Sequence, residues 1–222
     1  MKFMNILDTK IDLQKFTEAI NTELKNGLPG FDAQKKMSPS IREHALKKSD
    51  PNIARDSSVL LLFYPKDGQI YLPFIKRTTG NTSHSGQISL PGGKTEKSDT
   101  NRTATAIRET NEELGVDSKK IKILGSLTEL YIPVSNFMVL PVIGYCEEKP
   151  DFKLNQFEVE EIIEMPIQKL LSIDNINEFN FDKNGMTIHA AYFNAKGHKV
   201  WGATAMILSE LREIFLRASL IN

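Results

Sequence analysis

Residues 101–116, NRTATAIRETNEELGV, constrain the fold most, because they read as one helix that ends at a glycine. At about 100° per residue, Ala104, Ile107, Asn111 and Leu114 form one mostly apolar stripe. Glu109, Glu112 and Glu113 gather on the opposite side, within an arc of about 100°. Carboxylates three and four residues apart repel one another by a few tenths of a kcal/mol per pair. These three also stand in the last turn before Gly115, the expected left-handed stop. Acids there oppose the helix dipole at a cost of about 0.3–1 kcal/mol each. Selection for stability alone would favour Lys or Arg. A solvated acidic face is one reading. A bound divalent cation is the other, and it removes both objections; clustered hard oxygens suit Mg²⁺ or Mn²⁺.

The rest of the chain has an ordinary globular composition, 40% hydrophobic and 25% charged, which excludes a disordered polyelectrolyte. Over 222 residues, 28 basic side chains cancel 28 acidic ones, so a basic nucleic-acid binder is not expected. No apolar run approaches the roughly 20 residues that span a bilayer, so no membrane partner is expected. The first residues break at Asp8 without a signal-peptide core. Cys146 stands alone and cannot form an internal disulfide. A reducing, cytoplasmic setting is therefore expected.

Periodicity predicts an amphipathic helix over 11–26, closed by Gly27-Leu28-Pro29-Gly30. A polar, irregular arm follows, basic from Gln34 to Lys48. A buried strand at 58–64 and a returning strand at 69–76 form a hairpin around Pro65-Lys66-Asp67-Gly68. Further strands are expected near 121–130, 137–146, 187–193 and 199–201, with a short helix near 166–171 and a last one over 203–218. Between them, residues 147–182 hold ten acids against three lysines, a net of −7 that reads mostly as solvated surface. Cys146 reads as a packed thiol, and Trp201 as a cap on the last helix. His44, His189 and His198 show no metal-ligand spacing. Strands and helices without regular alternation predict an α+β fold.

Leu90-Pro91-Gly92-Gly93-Lys94, upstream of the acidic helix, is a turn through which backbone can approach a ligand closely. Turn and helix together resemble the Nudix box, G-x5-E-x7-R-E-U-x-E-E-x-G-U, with U a bulky apolar residue. Arg108 to Val116 match its second half, with Thr110 at the first U. Gly93 matches its first glycine with one residue inserted before Arg108. The middle acid then falls out of register, with Asp99 nearest. The longer spacing resembles the coenzyme A pyrophosphatase branch of the family. So do Leu72-Pro73-Phe74-Ile75-Lys76-Arg77-Thr78, the segment SHSGQISLPGGK over 83–94, Leu28-Pro29-Gly30, Pro133-Val134-Ser135-Asn136-Phe137 and Val200-Trp201-Gly202-Ala203-Thr204-Ala205. The resemblance covers about residues 13–215.

The resemblance implies a mixed β-sheet sandwiched between helices, with residues 1–56 as a helix and basic arm packed on a hydrolase domain over 57–222. It implies Mg²⁺-dependent hydrolysis of the pyrophosphate of coenzyme A or its derivatives, with Mn²⁺ as an alternative ion. Glu109, Glu112 and Glu113 are then metal ligands, with the Gly93 carbonyl beside them and Glu109 the first choice of base. Arg108 orients the carboxylates. Glu158 or Glu161 is the further acid expected from a later loop. Arg77 and Lys76 are expected on the diphosphate, and His84 lines the site. The basic arm reads as a solvated face within possible reach of a 3'-phosphate. The partner is a small nucleotide of the coenzyme A class, and a homodimer is left open. ADP-ribose or NADH as substrate, and a non-catalytic nucleotide sensor, are the alternatives.

Overall fold

The computed structural model describes residues 12–47, 49–78, 86–183 and 185–220. The chain runs α1 (Leu13–Asn26), α2 (Phe31–Gln34), α3 (Arg42–Leu46), β1 (Arg55–Lys66), β2 (Gln69–Arg77), β3 (Ile88–Ser89), β4 (Gly92–Lys94) and α4 (Arg102–Leu114). It continues through β5 (Lys122–Ser126), β6 (Leu130–Ile132), β7 (Phe137–Tyr145), β8 (Val159–Pro166), α5 (Ile167–Leu171), β9 (Ile176–Lys183), β10 (Met186–Ala195), β11 (His198–Trp201) and α6 (Gly202–Arg217).

Alternation along β1 sets the layers. Leu61 and Phe63 turn to one face of the sheet, and Leu60, Leu62 and Tyr64 to the other. The first face meets Phe16 and Ile20 of α1 and Leu208, Leu211, Ile214 and Phe215 of α6. The second meets Ala106 and Leu114 of α4, with Val116 and Ile121 beyond it. Phe16 ties three elements, with its ring 4.9 Å from Phe63 and 5.6 Å from Phe215. Strand β1 pairs in parallel with β7 and antiparallel with β2 and β4. Strand β2 in turn carries β3 and β8, and β7 carries β5 and β6. The result is the expected α+β fold, a mixed sheet between helices. A boundary at 56/57 falls inside β1. No helix among the described residues is long and apolar enough to cross a membrane.

A second antiparallel sheet, β9-β10-β11, sends Phe193, Ala195 and Val200 into the core. Its other face carries Trp201, packed edge-on to Phe179 and Phe181 at the N-cap of α6. Strands β8 and β9 lie within the acidic stretch read as solvated surface. In β8, Val159, Ile163 and Met165 are buried while Glu160 and Glu161 are exposed, so this part of the stretch is a real strand with acids at its exposed positions.

Several basic side chains of the arm already have partners. Lys35 pairs with Asp32, Lys36 with Glu213 on α6, and Arg42 donates to the Tyr131 carbonyl. Buried Gln34 donates to buried Glu210, which also accepts from Gly30 N–H and the Thr128 hydroxyl. Truncating a fully buried phenyl ring costs about 3–5 kcal/mol. Phe16→Ala is expected to lose about that much stability in denaturant melts; a loss below about 1 kcal/mol would show that α1 is peripheral to the core.

Candidate active site

Helix α4 begins at Asn101, whose side chain accepts from the Ala104 N–H at 2.9 Å, and stops at Gly115 with φ 67°. Its buried side carries Thr105, Ala106, Thr110, Glu113 and Leu114, whereas Asn111 is exposed. The face is rotated by roughly 100° from the stripe of Ala104, Ile107, Asn111 and Leu114. The reason is that both threonines are satisfied locally and pack as small side chains. Thr110 Oγ1 donates to the Ala106 carbonyl at 2.7 Å, and Thr105 Oγ1 to Asp99 at 2.9 Å. The rotation corrects the expected arc of acids, because it turns Glu113 inward.

Glu113 is 1% exposed. One oxygen, Oε2, accepts the Gly92 N–H at 2.9 Å, and the other, Oε1, accepts from Arg77 Nη1 at 3.3 Å. Burial pushes its pKa up to about 8, and Glu109 and Glu158 push the same way against Gly92 and Arg77. Glu109 is also raised, first by burial, with Glu112 and Glu158 adding and Arg108 opposing. Glu158 is thus the acid outside the helix that feels the site. Its backbone is fixed beside Arg77, since the Glu158 carbonyl accepts the Thr78 N–H at 3.0 Å.

The two glycines of the turn explain how close the elements come. A Cβ on Gly92 would lie 2.3 Å from the Ser58 carbonyl oxygen, and one on Gly93 would lie 2.4 Å from the Glu109 carboxyl. Neither side chain could be accommodated without moving β4 away from β1 or Glu109 off its position.

Arg108 organises the exposed edge of the helix. It grips Asp99 with two bonds of 2.9 and 3.0 Å and meets Glu112 at 2.8 Å, Glu109 at 3.0 Å and the Lys94 carbonyl at 3.0 Å. Its grip, together with the Glu96 N–H and Thr105 hydroxyl, holds Asp99 well below the usual carboxylate range. Asp99, expected out of register with the middle acid, takes the role of anchor for Arg108. Counted forward from Gly93, it stands sixth, at the place of the middle acid, so the extra residue lies between Asp99 and Arg108.

Other expected site residues fall outside this group. Lys76 pairs with Glu160 on β8, and Glu161 lies 3.6 Å from His198. His84 lies outside the described residues. Cys146 is 2% exposed and its thiol is pushed up to about 11 by burial, so it is a packed group.

The donor set fits a hard divalent cation. Glu109 and Glu113 are both raised by burial, each repels the other or Glu158, and the single guanidinium on Glu113 reaches only one oxygen. Among the described residues no three acidic, histidine or cysteine side chains already close on a common point. Glu112 and Glu109 are drawn to Arg108 instead.

The chain matches known proteins along the same segment. The NUDIX domain profile matches residues 54–185. The chain is 33% identical over 160 residues to Nudix hydrolase 15, mitochondrial, of Arabidopsis thaliana; the match covers 69% of this chain and 56% of that protein. It therefore spans only about half the length of that relative. It is 30% identical over 165 residues to the uncharacterized Nudix hydrolase NudL of Photorhabdus laumondii, covering 74% of this chain and 86% of that one. Among solved structures, a MutT/nudix family protein from Enterococcus faecalis aligns with a TM-score of 0.47 at 16% identity, over 89% of this chain and 73% of that one. The domain match spans more than half of the chain and contains both the glycine turn and the carboxylate helix: the chain belongs to the Nudix hydrolase family.

Proposed function

We propose that the chain hydrolyses the pyrophosphate bond of coenzyme A or an acyl derivative, giving 4'-phosphopantetheine or its acyl form and adenosine 3',5'-bisphosphate. The observation that carries the chemistry is the buried Glu113 carboxylate, crowded by Glu109 and Glu158 beside a glycine turn. The support for the substrate is the one-residue insertion in the box and the segments around Arg77, Gly93 and Trp201 that resemble the coenzyme A branch.

A diphosphate diester repels an anionic nucleophile, so its hydrolysis needs charge neutralisation and a water held in line. A bound Mg²⁺ or Mn²⁺ would supply that neutralisation and acidify the water. Glu109, Glu112 and Glu113, with the Gly93 carbonyl, are the proposed ligands, and Glu158 is the additional acid. Glu109 is the proposed base, taking the proton of the attacking water. Arg77 faces phosphate oxygens of the substrate. Arg108 is a positioning residue: it fixes Glu109 and Glu112 while Asp99 fixes it.

Product analysis with coenzyme A and Mg²⁺ tests the reading. Release of both named products is expected; equal or better turnover of ADP-ribose would replace the substrate, and binding of nucleotides without turnover would make the chain a sensor. Glu112→Gln and Glu113→Gln are expected to lower kcat by two or more orders of magnitude, about 3 kcal/mol in the barrier, with the fold retained by circular dichroism. Near-normal turnover would refute the ligand assignment.

The Asp99–Arg108 clamp can be tested through its pH dependence. Because the folded pKa of Asp99 lies below its unfolded value, the stabilisation is complete above about pH 4 and is lost as pH falls through the folded value. Asp99→Asn is therefore expected to be less stable than wild type at neutral pH, with the gap closing on acidification. A gap independent of pH in denaturant melts contradicts the clamp.

A further inference from the structure

We propose that Arg77 is a removable placeholder on Glu113, which a divalent cation displaces and thereby releases toward the substrate. The inference rests on the reading of Glu113 as a cation ligand.

The two arginines of the site are held in different ways. Arg108 makes a two-pronged grip on an Asp99 side chain that is only 4% exposed, reinforced by Thr105 and the Glu96 N–H. That is a permanent clamp. Arg77 makes one bond, at 3.3 Å, to one oxygen of Glu113. Its side chain is 34% exposed while that of Glu113 is 1% exposed, so the guanidinium lies on the open side of the carboxylate. The other oxygen of Glu113 is fixed by the backbone N–H of Gly92, which belongs to the sheet and cannot leave. Oε1 is thus the oxygen with an exchangeable partner.

Local geometry delivers Arg77 to that position. The β2–β8 register slips between Lys76 and Arg77. Lys76 turns outward to Glu160, whereas Arg77 turns to α4. Arg77 then faces Glu113, which stands one helical turn from a second carboxylate, Glu109. A doubly charged ion offsets that crowding better than one guanidinium at the edge. Once the ion holds Oε1, Arg77 has lost its anionic partner at the mouth of the site, where the diphosphate of a substrate offers another. Cation binding and phosphate binding would then favour each other, by the reciprocity that any such coupling requires.

The test is calorimetric titration of the full chain with Mg²⁺ in one buffer at one mildly alkaline pH, where carboxylates are ionised. Wild type, Arg77→Met and Glu113→Gln are compared. Arg77→Met is expected to bind Mg²⁺ roughly three- to tenfold more tightly, since a competing ion pair has been removed. Unchanged or weaker binding overturns the inference while leaving the ligand assignment intact, provided that Glu113→Gln weakens binding. Wild-type binding that Glu113→Gln does not weaken sinks the ligand assignment and this inference together. A measurement on unmutated protein guards against a variant that folds poorly. The Arg77 Nε–Hε resonance should shift on Mg²⁺ addition, and a resonance that stays in place overturns the displacement.

Discussion

The packing of α4 on β1 buries a carboxylate, and the site is built around that constraint. Ala106, Thr110 and Leu114 are small or apolar enough to bring the helix close to the sheet, and Glu113 is carried inward with them. A buried anion needs partners or it costs several kcal/mol. Gly92 supplies one through its N–H, which requires β4 to lie against β1 without a side chain in the way. Arg77 supplies the other, which requires the slip in β2. The chain after β7 returns to close the helix end, where Lys153 and Asn155 donate their N–H groups to the carbonyls of Leu114 and Glu113. That return also brings Glu158 to the site.

Much of the fold is legible in the sequence because strong periodicity survives in single segments. Leu13, Phe16, Ile20 and Leu24 mark α1, and the run from Val59 to Tyr64 marks β1. Strands β3 and β4 are too short to carry a pattern, and their pairing with β2 and β1 makes them strands. Strand β8 was hidden by its own composition. Glu160, Glu161 and Glu164 dilute an apolar signal that only three buried side chains carry.

The site was legible in its residues and not in its orientation. The spacing of Arg108, Glu109, Glu112 and Glu113 picks out the helix. The buried face could not be read because Thr105 and Thr110 count as polar until their hydroxyl partners are known. Glu158 and Glu161 were equal candidates by composition. The slip in β2–β8 pairing separates them, setting Glu158 beside Arg77 and Glu161 beside His198. The balance of charge likewise hid local pairing. Lys35 and Lys36 are matched by Asp32 and Glu213, and it is Gln34 and Met37 that tie this part of the arm to the core.

The proposed role makes Glu113, a carboxyl whose pKa burial raises, a cation ligand. Metal binding to such a group must release its proton. The direct measurement is proton release on saturation with Mg²⁺, taken from calorimetric titrations in buffers of different ionisation enthalpy. Because burial raises the Glu113 carboxyl, proton release is expected on Mg²⁺ saturation near neutral pH, fading as pH rises. Saturable Mg²⁺ binding at neutral pH with no proton released, or release that persists unchanged in Glu113→Gln, would contradict the account.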